Sequence, residues 1–157
     1  MATEIEKKFL VINDTWKSSS FRQQHYTQGY FSTSPECSIR IRMSGDQANL
    51  NIKSATLGIM RSEYDYPIPA HDAREMLDHL CMKPLLEKTR YFVKVDQHTW
   101  EIDVFHGDNE GLIVAEIELK SAEESFTRPE WVGEEVSDDP RYYNVCLVRH
   151  PYKSWKH

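Results

Sequence analysis

Two Glu-x-Glu-x-Lys patterns, one formed by Glu4, Glu6 and Lys8 and the other by Glu116, Glu118 and Lys120, stand well apart in the 157-residue chain. On a strand, residues two apart point the same way about 6.6 Å from each other, so each carboxylate pair can reach one or two metal ions from a single face. Between the two patterns lie Arg40, Arg42, Lys53, Glu63, Lys88, Arg90 and Asp103. Guanidinium forks suit phosphate oxygens, lysines add point charge, and carboxylates prefer hard cations such as Mg²⁺ or Mn²⁺. Together these residue types describe chemistry on a metal-bound polyphosphate.

Strands must position them, because much of the chain alternates with period two. The alternation predicts eight: Thr3–Val11, Gln23–Thr33, Ser38–Ser44, Gln47–Ala55, Arg61–Ile68, Leu86–Val95, Thr99–His106 and Leu112–Lys120. Turn signals separate them at Pro35, Ser44-Gly45-Asp46, Leu57-Gly58, Asp96-Gln97 and Gly107-Asp108-Asn109, several short enough for antiparallel hairpins. One helix is expected over Ala70–Leu80, where Ala73, Met76, Leu77 and Leu80 recur at helical spacing. A second is expected to start at Ser121, which forms a capping-box pattern with Glu124. A third, over Arg141–Val148, would pack Tyr142, Val145 and Leu147 against the outside of the sheet.

The expected fold is a mainly β (α+β) domain spanning 1–157, an eight-stranded antiparallel β-barrel forming a charged tunnel, with a few helices outside. A formal net charge of -6 argues against a surface that coats nucleic acid, so an anionic ligand needs a local basic site. The first residues hold acids and lysines without a long apolar run, which predicts no signal peptide or membrane span and a cytoplasmic location. Cys37, Cys81 and Cys146 are read as reduced structural thiols. His71 and His79 lack metal-ligand spacing, and Trp131 and Trp155 read as packing anchors. No Gly-rich phosphate loop is present, so side chains must hold the anion.

The polar strand positions comprise seven cations (Lys8, Arg40, Arg42, Lys53, Lys88, Arg90, Lys120) and six anions (Glu4, Glu6, Glu63, Asp103, Glu116, Glu118). Their companions are apolar: Ile5, Ile39, Ile41, Leu50, Ile52, Ile102, Val104, Ile117 and Leu119. If the companions pack under helices and tail, the charged faces turn inward. Burying unpaired charge costs several kcal/mol per ion, so such a lumen needs water, metal and a charged ligand. The plainer alternative is a set of cross-strand ion pairs on a solvated sheet, each contributing at most about 1 kcal/mol.

In order and spacing these residues resemble the CYTH, or triphosphate tunnel metalloenzyme, superfamily over essentially the whole chain. The residues from Trp131 to Val136 and from Asp139 to Asn144 are similar to its short bacterial branch, which includes inorganic triphosphatases. The resemblance implies that Arg40, Arg42, Lys53, Lys88 and Arg90 hold phosphate oxygens, and that Glu4, Glu6 and Glu118 hold a first metal. It puts Glu116, with Asp103, nearer a second metal or the attacking water. Lys8 falls where the family has a lysine close to the reacting phosphate, Glu63 where it has an acid that positions basic residues, and Lys120 at a less uniform position.

The leading expectation is in-line attack of water on a terminal phosphorus of a triphosphate, foremost tripolyphosphate, with Lys8 as a candidate base. A class IV adenylyl cyclase is the alternative, with Tyr30 and Phe31 as candidates to stack on a base, although strand aromatics are more often core. A non-catalytic polyphosphate or nucleotide sensor is the third reading. The expected partner is a small triphosphate or nucleotide, a homodimer is compatible with the sequence, and the Asp139–His157 tail is placed to plug one tunnel end.

Overall fold

Alternation becomes a closed barrel because each strand has one apolar and one polar face, and the sheet curls until the polar faces meet inside. The computed structural model describes residues 2–32, 36–54 and 59–156. Its strands are β1 (Ala2–Val11), β2 (Ser20–Tyr30), β3 (Cys37–Ser44), β4 (Gln47–Ser54), β5 (Met60–Pro67), β6 (Leu86–Val95), β7 (His98–Phe105), β8 (Ile113–Glu118) and β9 (Val132–Glu135). They run in the order β5-β4-β3-β2-β6-β7-β8-β1-β9, and an additional β5–β1 pairing closes the first eight into a ring. All pairings are antiparallel. The predicted strand ends at Thr33 and Ala55, and the turns at Pro35 and Leu57-Gly58, lie outside the described residues.

The first strand serves three partners. Residues Ala2–Ile5 pair with β5, Glu6–Leu10 pair with β8 on the other edge, and Phe9 and Val11 pair with β9. The ninth strand was not expected: four residues are too few for alternation to register.

Apolar companions do lie outside, under two covers. Ile102, Ile117 and Leu119 join Phe9, Trp16, Trp100 and Trp131 in one cluster. Ile41, Met43 and Ala48 pack against Ala73, Leu77 and Cys81 of α1 (Ala70–His79) and its end. Gly29 lets that helix sit down on β2: a Cβ there would stand 2.7 Å from Leu77 and 2.8 Å from Cys81. Leu80, expected on the buried face, is 63% exposed just beyond the helix. Trp131 is core, stacked edge-on against Trp100, and Trp155 packs on Tyr142 and Tyr152, as anchors should.

Two expectations are corrected. No helix begins at Ser121: the Glu124 carboxylate folds back to accept the Lys120 backbone N–H and meet His98 Nε2, so the capping-box side chain closes a turn. The tail forms a short 3₁₀ turn, Pro140–Tyr142, followed by α2 (Asn144–Arg149), and packs into a barrel end instead of against the outside. Leu10, Tyr30, Leu86, Phe105 and Val114 hold inner-face positions at that end, and Tyr142, Leu147 and Val148 cover them. Among the described residues, no helix is long and apolar enough to cross a membrane.

Candidate functional site

Inside the ring is a cavity of about 220 Å³ lined almost wholly by polar side chains. Of the residues expected there, Glu4, Glu6, Lys8, Arg40, Arg42, Lys53, Glu63, Lys88, Arg90, Glu116 and Glu118 all line it. A neighbouring polar cavity shares Arg40, Arg42, Asn51 and Glu63 and continues past Tyr26, Asn49 and Asp65. Two expected residues are placed otherwise. Lys120 lies two residues beyond the end of β8, exposed and outside the cavity lining. Asp103 sits behind the lining, 0% exposed, and is wholly engaged by basic partners.

Strand register sorts the charge into two sides. Glu6 faces Glu118 and Lys8 faces Glu116 across β1 and β8, while Glu4 faces Arg61 across β1 and β5. Arg40 and Arg42 project from β3, Lys88 and Arg90 from β6. Where the sides touch, Lys8 Nζ lies 3.6 Å from Glu116 and donates to the Tyr142 carbonyl at 3.0 Å. Lys53 Nζ bridges Glu4 at 3.1 Å and Glu63 at 3.7 Å.

The basic side rests on Asp103. Its carboxylate accepts from Lys88 Nζ at 2.8 Å and from Arg90 Nε at 2.7 Å, and Arg90 also reaches Glu101 at 2.6 Å. Burial alone would raise Asp103, but Arg90 and Lys88 outweigh it and keep the carboxyl below its usual range. Burial is similarly overcome at Glu116, held well below the carboxylate range by Lys8, Arg90 and Lys88.

Arg40 and Arg42 differ in kind. Among the described residues neither has an ion-pair partner, and the buried Arg40 Nε has no hydrogen-bond partner at all. Arg42 donates to Gln28 Oε1 at 3.0 Å and lies over the Tyr26 ring. Burial, then the fields of Arg40 and Arg90, lowers its guanidinium to about 10. Two adjacent guanidiniums, one buried and one half-buried, with no ion-pair partner among the described residues have the chemistry to receive an anion.

Lysine 88 adds a titrating group. Burial, which Asp103 only partly offsets, lowers its ammonium to about 7, with Arg90 and Arg42 pushing the same way and Glu116 opposing. An anion brought alongside raises that value, so binding between pH 7 and the ordinary lysine range draws a proton in. Tripolyphosphate titrated into the chelator-treated protein at about pH 8 is therefore expected to take up close to one proton, read from calorimetry in buffers of different ionisation enthalpy. Lys88→Met should abolish the uptake.

The acidic side carries surplus negative charge. Burial first, then Glu116 and Glu4, pushes Glu6 up to about 8, while Lys53 and Lys8 oppose the rise. Burial and the fields of Glu4, Glu101 and Glu63 raise Glu118. A divalent cation would relieve this repulsion with hard oxygen ligands, so the donor set fits Mg²⁺ or Mn²⁺ in chemistry. Among the described residues no three acids are already gathered as a ligand cage, since Lys53 and Arg61 hold Glu4.

Several lining residues were not expected. Arg61 and Glu101 each lie two residues before a predicted site residue, Glu63 and Asp103, so the period-two rule that found those would have found them. Asn51 lines the cavity opposite Arg40, and Gln28 sits behind the lining opposite Arg42; neither carries a charge to draw notice. Asn144 Oδ1 accepts from Lys88 Nζ at 2.8 Å, and only the seating of the tail at the barrel end brings it there.

A ring of eight strands, charged within and apolar without, defines a tunnel protein built to hold a polyanion beside carboxylates. The chain belongs to the CYTH domain family, whose pattern matches residues 2–143. It is 46% identical over 156 residues to an inorganic triphosphatase of Acetivibrio thermocellus, covering 99% of each chain. It is 37% identical over 150 residues to an inorganic triphosphatase of Nitrosomonas europaea, covering 93% of this chain and 97% of that one. In shape it is similar to a crystal structure of an inorganic triphosphatase, with a TM-score of 0.67, 34% identity, and coverage of 94% and 95%.

Proposed function

We propose that this chain is a metal-dependent triphosphatase that hydrolyses inorganic tripolyphosphate to diphosphate and phosphate inside its tunnel. The observation that carries the reading is the Arg40–Arg42 pair, Arg40 buried and Arg42 half-buried, with no ion-pair partner among the described residues and sharing one cavity with the Glu4, Glu6, Glu116 and Glu118 carboxylates. Relatives named inorganic triphosphatase at 46% and 37% identity support the same substrate.

Arg40, Arg42, Arg90 and Lys88 receive the phosphoryl oxygens, where forked and point-charge donors spread over three phosphates give both orientation and charge. Lys53 joins them from the other side. Glu4, Glu6 and Glu118 would hold a divalent ion, with Glu116 beside a second. Such an ion, when bound, supplies Lewis acidity at phosphate and lowers the pKa of water. Water attacks the terminal phosphorus in line, its oxygen forms the new P–O bond, the bond to the bridging oxygen breaks to release diphosphate, and the water's proton passes to a phosphate oxygen. The loose transition state asks for positioning and charge stabilisation more than for a strong base. Lys8, fixed by the Tyr142 carbonyl and Glu116, is placed to steady charge on the reacting phosphoryl group.

The cyclase reading needs a base platform. Tyr30 lines the cavity but is 4% exposed with its ring packed in the cluster under the tail, and Phe31 is half-buried against the α1 cluster, so both rings considered for stacking are already engaged in packing. Incubation with Mg²⁺ or Mn²⁺ and either tripolyphosphate or ATP, analysed for phosphate, pyrophosphate and cAMP, tests the proposal. The expected outcome is phosphate release from tripolyphosphate exceeding that from ATP and no cAMP. Formation of cAMP, or binding without turnover, would reject it.

A further inference from the structure

The acids at the start of β1 do not face the cavity unaccompanied. Arg61 is the register partner of Glu4 across the β1–β5 pairing that closes the barrel. Its Nη2 lies 3.3 Å from Glu4 Oε1 and 3.5 Å from Glu6 Oε1, with the Arg61 side chain 24% exposed. Among the described residues Arg61 has no other ion-pair partner. Lys53, the second cation on Glu4, has Glu63 to hold as well.

We propose that Arg61 is the resident counter-cation of the Glu4–Glu6 pair, and that a divalent metal ion enters by displacing it. The inference rests on the reading of these two acids as metal ligands. The carboxylate oxygens turned toward the guanidinium are the ones an ion between Glu4 and Glu6 would use, and a divalent ion beside a guanidinium repels it. Both cations cannot share those oxygens. Once released, Arg61 remains tethered to β5 with its fork directed into the same cavity, where the oxygens of a triphosphate would lie. Metal binding alone is thereby weakened by competition. Metal and triphosphate together favour each other, because the metal frees a donor for the anion and the anion gives that donor a new partner.

Mn²⁺ titrated by calorimetry into chelator-stripped full-length protein, without any phosphate compound, tests the inference. Arg61→Ala is expected to bind Mn²⁺ about tenfold more tightly than the unaltered chain. Arg61→Lys, which keeps the charge, is expected to stay within about threefold of it. The metal-free melting temperature of Arg61→Ala should fall, and saturating Mn²⁺ should close most of the gap. If the alanine variant does not fold, Arg61→Gln carries the same expectation with the side-chain length preserved. Mn²⁺ binding to the unaltered protein that is unchanged or weaker in Arg61→Ala and Arg61→Gln overturns the role of Arg61 and leaves the metal reading standing. Absence of Mn²⁺ binding in every protein removes the metal reading, and the inference with it.

Discussion

Arg40→Ala is expected to lower kcat/KM for tripolyphosphate by about 10²- to 10³-fold while leaving the fold as stable as before or slightly more so. The loss follows from removing a forked donor from a buried anion site, where no water can substitute with equal geometry. The stability expectation follows from what Arg40 does without a ligand. Its Nε has no partner, no acid pairs with it among the described residues, and its field is one of the causes that lower Arg42. Deleting it therefore orphans no carboxylate and relieves Arg42 of a like charge. Steady-state kinetics and a melting curve on the same preparation check both halves. A melting temperature that falls in step with activity would make Arg40 a structural cation and would remove the observation on which the function rests.

That pairing of lost function with retained stability marks where sequence and structure part company. Inner and outer faces were legible because alternation is a local property: Ile5 between Glu4 and Glu6, or Ile41 between Arg40 and Arg42, already says which side is which. Closure was legible only indirectly, from the difficulty of leaving so many charges on a dry face. Local rules did not show which cations would be neutralised. Lys88 and Arg90 read like Arg40 and Arg42, yet Asp103 on the adjoining strand claims the first pair, while the second has no ion-pair partner among the described residues. Register decides this, because Arg90 falls opposite Asp103 and Arg40 opposite Asn51.

The tail shows the same limit from another side. Tyr142, Val145 and Leu147 read as apolar contacts with two targets, the outside of the sheet and a tunnel end, and the structure selects the second; nothing local says that the barrel end, rather than its flank, is uncovered. Leu10, Tyr30, Leu86, Phe105 and Val114 break the charged row of their strands at that end. Taken together they signal a plug, although each alone reads as an ordinary strand residue. The same seating brings Asn144 to Lys88 and the Tyr142 carbonyl to Lys8, so the tail adds polar partners to the cavity as well as covering it.

Asp103→Ala is expected to destabilise the protein by about 3–5 kcal/mol and to remove most activity, with Asp103→Asn less severe on both counts. The family resemblance implies a place for Asp103, with Glu116, near a second metal or the attacking water. Its position argues instead for a positioning residue: it is absent from the cavity lining and joins Lys88 to Arg90 from behind. Removal leaves Lys88, 1% exposed, with the neutral Asn144 oxygen as its hydrogen-bond acceptor among the described residues, so its ammonium falls further and its charge is lost to phosphate at neutral pH. Arg90 retains Glu101 and the more distant Glu116, but loses the paired contacts that aim its fork. The neutral amide introduced by Asp103→Asn would keep the shape and one acceptor, which is why that variant should fall between. Urea denaturation and kinetics separate the two roles: an unchanged denaturation midpoint in Asp103→Ala with activity abolished would place Asp103 at the reacting atoms. A lowered midpoint, with KM rising as Lys88 loses its charge, is what support from behind the site requires.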